Sequence, residues 1–365
     1  MNRRQMLIGT GAAAALGGGA AYLTLSGMGS SPDYAAGIAP LRRQLAEMPS
    51  ARDLIRYATL APNGHNAQPW LFRIGDKKID ILPDLSRRTP VVDPDDHHVF
   101  ISLGAAAENL SLASAARGAP GAIQFEQGNE AAVVFDFEPG RAIPSIMFDA
   151  IAKRQSTRAD FDGRMVIPAD LNALAKAVSV PGVDLILLTD RNQVDQLRDL
   201  VVAGNSTQMA DAAFVRELKS WLRFNPRQAL RTGDGLYSVA SGNPALPDWL
   251  GPIAFDWFST AKAQNDAYAR QIRSSAGIAV FVGAGETPAD WVAVGQACQR
   301  FALQATALGL KHAFINQPVE VAQLRPELAA LIGLRGRRPD IVMRFGYGPT
   351  LPWSPRRPVD AVIVI

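Results

Sequence analysis

The chain has 365 residues, of which 48% are hydrophobic, and a small excess of basic over acidic residues gives a formal net charge of +3. This composition is typical of a globular protein and excludes a disordered chain. The small charge excess gives no reason to expect nucleic acid as a partner. A single cysteine, Cys298, excludes an intrachain disulfide and a thiolate-rich metal site.

The N-terminus has the pattern of an export signal. Arg3 and Arg4 precede an uncharged stretch, residues 8–25, that is rich in glycine and alanine. A twin-arginine pair before a weakly apolar stretch predicts a Tat signal, so we assign residues 1–30 to this signal and a linker that continues to Pro40. The alternative is a membrane anchor, because the stretch is about long enough to span. We expect export by the Tat machinery to the periplasm or the outer face of the inner membrane, with cleavage left open.

The first half of the chain predicts alternating helices and strands. We expect a helix at 51–60, a turn-rich segment at 61–70, strands at 71–74 and 78–82, a helix at 100–117, and strands at 122–125 and 132–137. The Pro/Gly pair at 139–140 then breaks the regular pattern.

The second half predicts a longer series with one irregular insertion. We expect helices at 169–178, 192–212, 290–308 and near 321–332, and strands at 184–189, 278–282, 312–315 and 341–345. Residues 220–257 are rich in glycine, proline and tryptophan, and irregular stretches of this length are often lids. The cofactor motifs described below lie outside residues 231–247, so we expect cofactor binding to survive deletion of that segment.

An internal repeat relates two of the predicted helices. Residues 103–118 and 294–309 align without a gap and share glycine, alanine and leucine positions. Small residues allow helices to approach closely, as expected at a pseudo-twofold axis. The alternative is chance similarity between two alanine-rich helices.

Two basic motifs are suited to an anion. Residues 154–158 combine two guanidinium groups with two hydroxyls, and guanidinium forks pair with phosphate oxygens. The candidate residues are Arg154, Ser156, Thr157 and Arg158, together with Arg356 and Arg357 between prolines near the C-terminus. Each motif on its own could instead be a solvated basic segment.

The turn-rich segment 61–70 offers polar groups for a planar ligand. Asn63, His65, Asn66 and Gln68 present amides and an imidazole that suit the edge of a heterocycle such as an isoalloxazine ring. The alternative is a helix end that enters a strand through Pro69.

Together these motifs resemble the nitroreductase family of flavin enzymes over residues 53–362. Residues 61–70 resemble the family's A-P-S-x-x-N-x-Q-P-W segment, with Asn63 in place of serine, and residues 154–158 resemble its R-x-S-x-R phosphate motif. The resemblance implies that FMN is the cofactor. It implies that the basic residues bind the FMN phosphate, and that the 61–70 segment flanks the ring. It also implies that the backbone of Ile315, Asn316 and Gln317 runs past the ring.

The resemblance also implies the fold and a reaction. It predicts an α+β, nitroreductase-like fold whose halves, 31–140 and 141–365, form an intrachain pseudo-dimer, monomeric overall, as in the Acg-like branch. One phosphate motif and one Q-P-W segment predict a single retained site. The implied reaction is ping-pong electron transfer from a reductant such as NAD(P)H to a quinone or nitroaromatic acceptor, with no catalytic side chain assigned. The alternative is an FMN-sequestering protein with little turnover.

A run of acidic and histidine residues is the remaining candidate site. Asp93, Asp95, Asp96, His97 and His98 offer ligands for a hard metal ion. Adjacent residues on one loop rarely converge on one point, so we expect no metal.

Overall fold

Two sheets with the same internal design organise the chain in the computed structural model, which describes residues 27–128 and 130–364. The strands are β1 Trp70–Ile74, β2 Lys78–Pro83, β3 Gly121–Gln127, β4 Ala131–Phe137, β5 Val183–Leu188, β6 Leu222–Arg223, β7 Leu236–Tyr237, β8 Gly277–Gly283, β9 Lys311–Phe314, β10 Ile341–Gly346 and β11 Ile363–Val364. The helices are α1 Ser31–Ile38, α2 Ala51–Ala58, α3 His97–Ala115, α4 Ile146–Ile151, α5 Pro168–Ala177, α6 Arg191–Ala210, α7 Ala212–Ser220, α8 Pro226–Thr232, α9 Gly251–Phe258, α10 Ala261–Arg273, α11 Pro288–Ala307, α12 Gln317–Glu320 and α13 Arg325–Leu331.

The two sheets share one topology. The first half runs β1-β2-β4-β3 and the second runs β5-β8-β10-β9, with antiparallel pairing throughout both sets. In each half a long helix, α3 or α11, connects the second strand to the third. The last strand of the chain, β11, crosses over and pairs in parallel with β1 of the first half. The C-terminal segment therefore binds the two halves together.

The two long helices pack on each other through a reciprocal set of contacts. A Cβ built on Gly104 would lie 2.0 Å from the carbonyl oxygen of Val292, and one on Gly295 would lie 2.0 Å from that of Ile101. One offset of 191 residues relates Ile101 to Val292 and Gly104 to Gly295. Reciprocal contacts between equivalent residues are the mark of a twofold interface.

The polar contacts between these helices obey the same symmetry. Arg300 donates to Glu108 at 2.7 Å, and Gln299 Nε2 donates to Asn109 Oδ1 at 2.6 Å. The offset of 191 residues exchanges one pair with the other. The internal repeat is therefore structural, and the α+β fold with two related halves is confirmed.

The halves differ by one long insertion in the second. The first half joins β1 to β2 by a short turn, whereas residues 189–276 separate β5 from β8 and contain α6 to α10. β8 is buried along its whole length, which explains its continuous apolar sequence. α11 begins with a capping box between Thr287 and Asp290, with Pro288 in the first turn.

Two expectations from the sequence are wrong. Residues 31–38 form helix α1, followed by a short 3-10 turn at 39–42, where we expected a linker. The Ser30 side chain caps α1, and buried Tyr34 and Ile38 pack it against the insertion. The expected irregular lid also contains helices, α8 and α9, because each is short enough to hide its periodicity between glycines and prolines.

The predicted export signal, assigned to residues 1–30 with the linker, lies outside the described residues except for its last four residues. Among the helices of the described ranges, none combines the length and apolar character needed to span a bilayer.

Candidate functional site

A cavity of about 680 Å³ lies where the two halves and the insertion meet. Ligand pockets in proteins commonly have volumes between about 300 and 1,000 Å³. The first half contributes part of α3 and the 61–70 segment, and the second half contributes Arg158 and the end of β9. Five of the residues predicted from the sequence line this cavity: Asn63, His65, Arg158, Asn316 and Gln317.

The 63–68 segment has an unusual backbone. His65, Asn66 and Gln68 have positive φ angles of 48°, 55° and 57°. Residues other than glycine rarely adopt this left-handed backbone conformation. Where they do, surrounding contacts stabilise the strained backbone, and such residues are found most often at functional sites. Asn63 closes the loop, because its Oδ1 accepts the backbone N–H of Gln68 at 2.8 Å.

Asn66 and Gln68 fasten this loop to two other segments and do not line the cavity. Asn66 Nδ2 donates to the carbonyls of Gly235 and Pro355 at 3.0 Å each. Gln68 Nε2 donates to the Gly233 carbonyl at 2.9 Å, and its Oε1 accepts the backbone N–H of Arg357 at 2.8 Å. Asn66 Oδ1 also accepts from Arg356 Nη1 at 2.8 Å, so both amides are engaged within the chain and hold the loop in place.

The 154–158 motif divides into buried and cavity-facing parts. Arg154 is buried and donates to the Leu60 carbonyl at 3.1 Å, and its Nη1 lies 3.3 Å from His312 Nε2. Thr157 is also buried, with its backbone N–H bound to the His312 carbonyl. Ser156 is half-buried beside the same strand. Arg158 lines the cavity, and within the described part of the chain its guanidinium has no acidic partner.

Arg356 and Arg357 lie outside the cavity lining. Arg356 is buried, and its donors are bound to the carbonyls of residues 59, 60, 61 and 355 and to Asn66 Oδ1. Arg357 binds the carbonyls of residues 68 and 361 and the Asp84 carboxylate. Both arginines therefore hold the C-terminal segment against the 61–70 loop.

Two buried arginines and one half-buried arginine cluster beside the 61–70 loop. Arg154 and Arg356 both donate to the Leu60 carbonyl, and Arg42 donates to the Ala152 carbonyl at 2.8 Å. Burial and the Arg356 charge lower the pKa of Arg154 to about 9. No carboxylate pairs with any of these three arginines among the described residues, and Arg154 Nε is buried without a partner there. Arg42 has no motif that identifies it in the sequence.

The segment after β9 reaches the cavity as predicted, through two of its three residues. Asn316 and Gln317 line the cavity, whereas Ile315 is buried with its N–H bound to the Val342 carbonyl. Asn316 Oδ1 accepts the backbone N–H of Val342 at 2.9 Å. This contact fixes the amide, so that Nδ2 points away from β10.

His98 is a cavity residue that sequence reasoning did not assign to the cofactor site. Asn316 Nδ2 lies 3.4 Å from His98 Nε2, and His98 Nδ1 lies 3.5 Å from an Asp93 oxygen. Asp93 also accepts the backbone N–H groups of His98 and Val99 at the start of α3. The network therefore places an Nδ1–H toward Asp93 and leaves Nε2 on the cavity side.

The surrounding charges favour a protonated His98. Burial opposes the charge, but the hydrogen bond and charge of Asp93, and then Glu320, raise the pKa of His98 above its ordinary value, against the opposing charge of Arg338. His65 behaves oppositely, because burial and the Arg158 charge lower its pKa to about 4. One cavity thus holds a neutral and a readily protonated imidazole.

Most ligand atoms of the acidic and histidine run are engaged within the chain, although His97 Nδ1 is buried without a partner among the described residues. His97 Nε2 lies 2.8 Å from Asp340 Oδ1, and Asp93 is bound to the start of α3. Asp95 pairs with Arg338, and Asp96 pairs with Arg88. Ligand atoms of Asp93, His97 and His98 do lie within 4.8 Å of one another, but the carboxylate is already spent on hydrogen bonds.

The insertion covers the cavity. Its lining residues include Leu222, Phe224, Leu236, Ser238, Ser241, Asn243, Pro244, Leu246, Gly251, Ala254, Phe255, Phe258 and Ser259. We call residues 220–259 the lid. Asp234 holds its base, because the carboxylate pairs with Arg87 and, at 2.7 Å, with Arg223.

The base of the lid is part of the site's framework. Gly233 and Gly235, which bind Gln68 and Asn66, lie within the 231–247 segment. Deletion of that segment would release these contacts, so the expectation that cofactor binding survives the deletion is not supported. The removable part of the lid is its outer portion.

No family model matches the chain. A protein of Mycobacterium tuberculosis strain H37Rv with the name "Putative NAD(P)H nitroreductase" is 23% identical over 342 residues, which cover 90% of this chain and 94% of that protein. A protein of the same name from strain CDC 1551 matches to the same extent. This match supports the nitroreductase family. It spans both halves, as does the resemblance drawn from the motifs.

The chain is also similar to solved structures of nitroreductases, at low sequence identity. A nitroreductase with bound FMN from Desulfitobacterium hafniense is 17% identical, with a TM-score of 0.39, and the match covers 61% of this chain and 99% of that chain. An FMN-dependent nitroreductase from Mycobacterium smegmatis in complex with NADPH is 13% identical, with a TM-score of 0.38, and covers 56% and 87%.

Proposed function

We propose that the chain is an FMN-dependent oxidoreductase of the nitroreductase type, which passes electrons from a reductant such as NAD(P)H to a quinone or nitroaromatic acceptor. One observation carries this proposal. Residues from three separate motifs, Asn63 and His65, Arg158, and Asn316 and Gln317, converge on a single cavity built from both halves.

The donor set of the cavity fits FMN. Apolar side chains such as Ile101 and Phe314 suit a planar ring. Gln317 also lines the cavity, and its buried Oε1, which has no partner among the described residues, suits the polar edge of the ring. Arg158 offers a guanidinium without an acidic partner in the described residues. Arg154 does not line the cavity, but its buried Nε has no partner among the described residues and would be a second cationic donor for a phosphate that extends behind the cavity wall.

The chain's own residues would orient the reactants and handle a proton. When bound, FMN supplies the hydride chemistry. The Asn316 Nδ2 donor faces Nε2 of the neutral ring, so a protonated His98, held by Asp93, would turn Nε2–H from Asn316 to an acceptor oxygen in the cavity and deliver the proton there. Asn316 would stabilise the neutral imidazole that remains, because its amide is already aimed at that nitrogen.

The absorbance spectrum of the purified protein tests this proposal. We expect a flavin spectrum with one FMN per chain, because the sequence carries one phosphate motif. We also expect oxidation of NADPH or NADH that depends on an added quinone. A colourless protein that takes up no FMN would refute the proposal, and two flavins per chain would refute the single retained site.

A second candidate function is FMN sequestration with little turnover. The lid favours it, since thirteen of the cavity-lining residues belong to residues 220–259. A cover of this kind would restrict the face on which a donor must stack. Tight FMN binding without reduction by NADPH or NADH, but with reduction by dithionite, would favour sequestration over catalysis.

We further propose that the chain belongs to the Acg-like branch, is exported by the Tat machinery, and works as a monomeric pseudo-dimer in the periplasm or at the outer face of the inner membrane. The motif order and Arg3-Arg4 support this proposal. The boundaries 1–30, 31–140 and 141–365 divide the chain accordingly. Replacing both N-terminal arginines with lysine should retain the protein in the cytoplasm, as cell fractionation would measure.

A further inference from the structure

Helix α9 of the lid has two apolar faces. Gly251, Ala254, Phe255 and Phe258 line the cavity at helical spacing. Trp249, just before the helix, and Ile253 and Trp257 recur every four residues, so they share a different face. The exposed fractions of these three side chains are 64%, 42% and 73%.

This second face exposes more large apolar side chains than an ordinary protein surface does. Phe258, at the edge of the cavity, is also 73% exposed, so three large aromatic side chains project from one short element. Contiguous apolar patches on a protein surface mark interaction sites. Tryptophan is enriched where proteins meet the interface of a bilayer, because its ring is apolar and its N–H is polar.

The described part of the chain begins beside helix α8 of the lid. The Met28 carbonyl accepts the backbone N–H of Arg227 in α8 at 2.8 Å, and Gly29 packs against the same residue. α8 is tied to the start of α9, because Asn225 donates to Asp248, the residue before Trp249. The described chain therefore begins beside α8, at the point where α8 is tied to the residue before Trp249.

Basic side chains lie at the same end of the lid. Arg227 and Arg231 of α8 are exposed, and the Arg231 guanidinium lies 4.0 Å from the Asp248 carboxylate. The carboxylates of Asp248 and Asp256 balance Arg231 and Lys219, whereas Arg227 has no carboxylate partner among the described residues. Arg227 therefore supplies the net positive charge that suits the anionic headgroups of a bilayer.

We propose that the face formed by Trp249, Ile253 and Trp257 docks on an anionic lipid bilayer, and that the acceptor is a lipophilic quinone that enters the cavity from the bilayer past Phe258. The quinone class rests on the proposed oxidoreductase function, whereas the docking does not. Each turn of α9 then contacts lipid on one side and the cavity on the other, which gives an apolar molecule a route that avoids water.

Tryptophan quenching in the full-length protein tests the docking. The protein is reconstituted in vesicles of equal parts phosphatidylcholine and phosphatidylglycerol, with or without bromine on the phosphatidylcholine acyl chains. Trp249 and Trp257 are two of six tryptophans, so we expect brominated lipid to remove about a third of the emission. The double variant Trp249→Phe/Trp257→Phe should lose that quenching, even if residues 8–25 alone hold the protein on the vesicle.

Two results would overturn the docking. One is no quenching in the wild-type protein, and the other is equal quenching in the double variant. A dimer in light scattering without lipid, abolished by Trp249→Ser/Trp257→Ser, would show that a second copy covers the face instead.

The acceptor class needs a separate measurement. We expect Trp249→Ser/Trp257→Ser to lower the rate with a long-chain quinone dissolved in vesicles by about tenfold, and to leave the rate with a water-soluble quinone unchanged. Ile143→Ser, an exposed residue outside the lid, serves as the control. Equal loss with both quinones would overturn the lipophilic acceptor. Quenching in a protein that binds no FMN would preserve the docking and refute the oxidoreductase.

Discussion

Replacement of Arg158 by alanine separates cofactor binding from folding. Arg158 lines the cavity, is exposed there, and makes no side-chain hydrogen bond within the described residues. Its loss therefore removes no intramolecular partner, and we expect little change in the free energy of unfolding. The effect should fall on the affinity for FMN, because the guanidinium is the cavity's own cation.

The size of the effect follows from one charge-assisted hydrogen bond. Such bonds contribute about 1.5 to 3 kcal/mol, and the exposure of Arg158 places the loss near the lower end because solvent screens the charge. A loss of about 1.5 kcal/mol corresponds to a rise in Kd of about tenfold.

Fluorescence titration of the FMN-free protein measures this Kd directly. Arg164→Ala is the matched control, since it removes an equally charged, exposed side chain that pairs with Asp162 and does not line the cavity. An unchanged Kd in Arg158→Ala, or an equal rise in the control, would refute the assignment of Arg158 to the anion site.

Further predictions concern the framework, the helices, the proton and the lid. Arg356→Ala should lower the free energy of unfolding by about 3 kcal/mol or more in urea titrations, because several buried carbonyls lose their donor; a change confined to FMN affinity would contradict this. Gly295→Ala should destabilise the fold by about 1–3 kcal/mol or more, because its Cβ meets the Ile101 carbonyl at 2.0 Å; a thermal melt at the wild-type temperature would exclude this packing. The rate of acceptor reduction should fall as the pH rises through the raised pKa of His98, since protonated His98 is the donor, and His98→Gln should lose that limb of the pH profile; an unchanged profile would assign the proton to solvent. Asp234→Ala should loosen the lid base and raise the stopped-flow reduction rate by small donors several-fold; unchanged reduction would mean that the lid does not restrict access.

The sequence predicted the regular elements of both halves closely. The β8 strand is a continuous apolar run that is buried throughout, and the two long helices carry glycine in equivalent positions, so local pattern and final packing agree. The helices at 31–38, 146–151, 212–220 and 261–273 and those of the lid were missed. Most of them are short helices whose stability comes from contacts with distant segments rather than from their own periodicity.

The sequence by itself determined which chemical groups the site contains. The amides of the 61–70 loop and the guanidinium of Arg158 were identified from their residue types and spacing, which are local properties, whereas Asn316 was identified through the family resemblance and for its backbone. Only the tertiary structure decided which of them face the cavity. Arg356 and Gln68 also belong to the predicted motifs, yet both donate hydrogen bonds to backbone carbonyls from remote parts of the chain and do not face the cavity. His98 enters the site only because α3 of one half packs beside the β9 end of the other, and that juxtaposition depends on long-range packing that no short motif encodes.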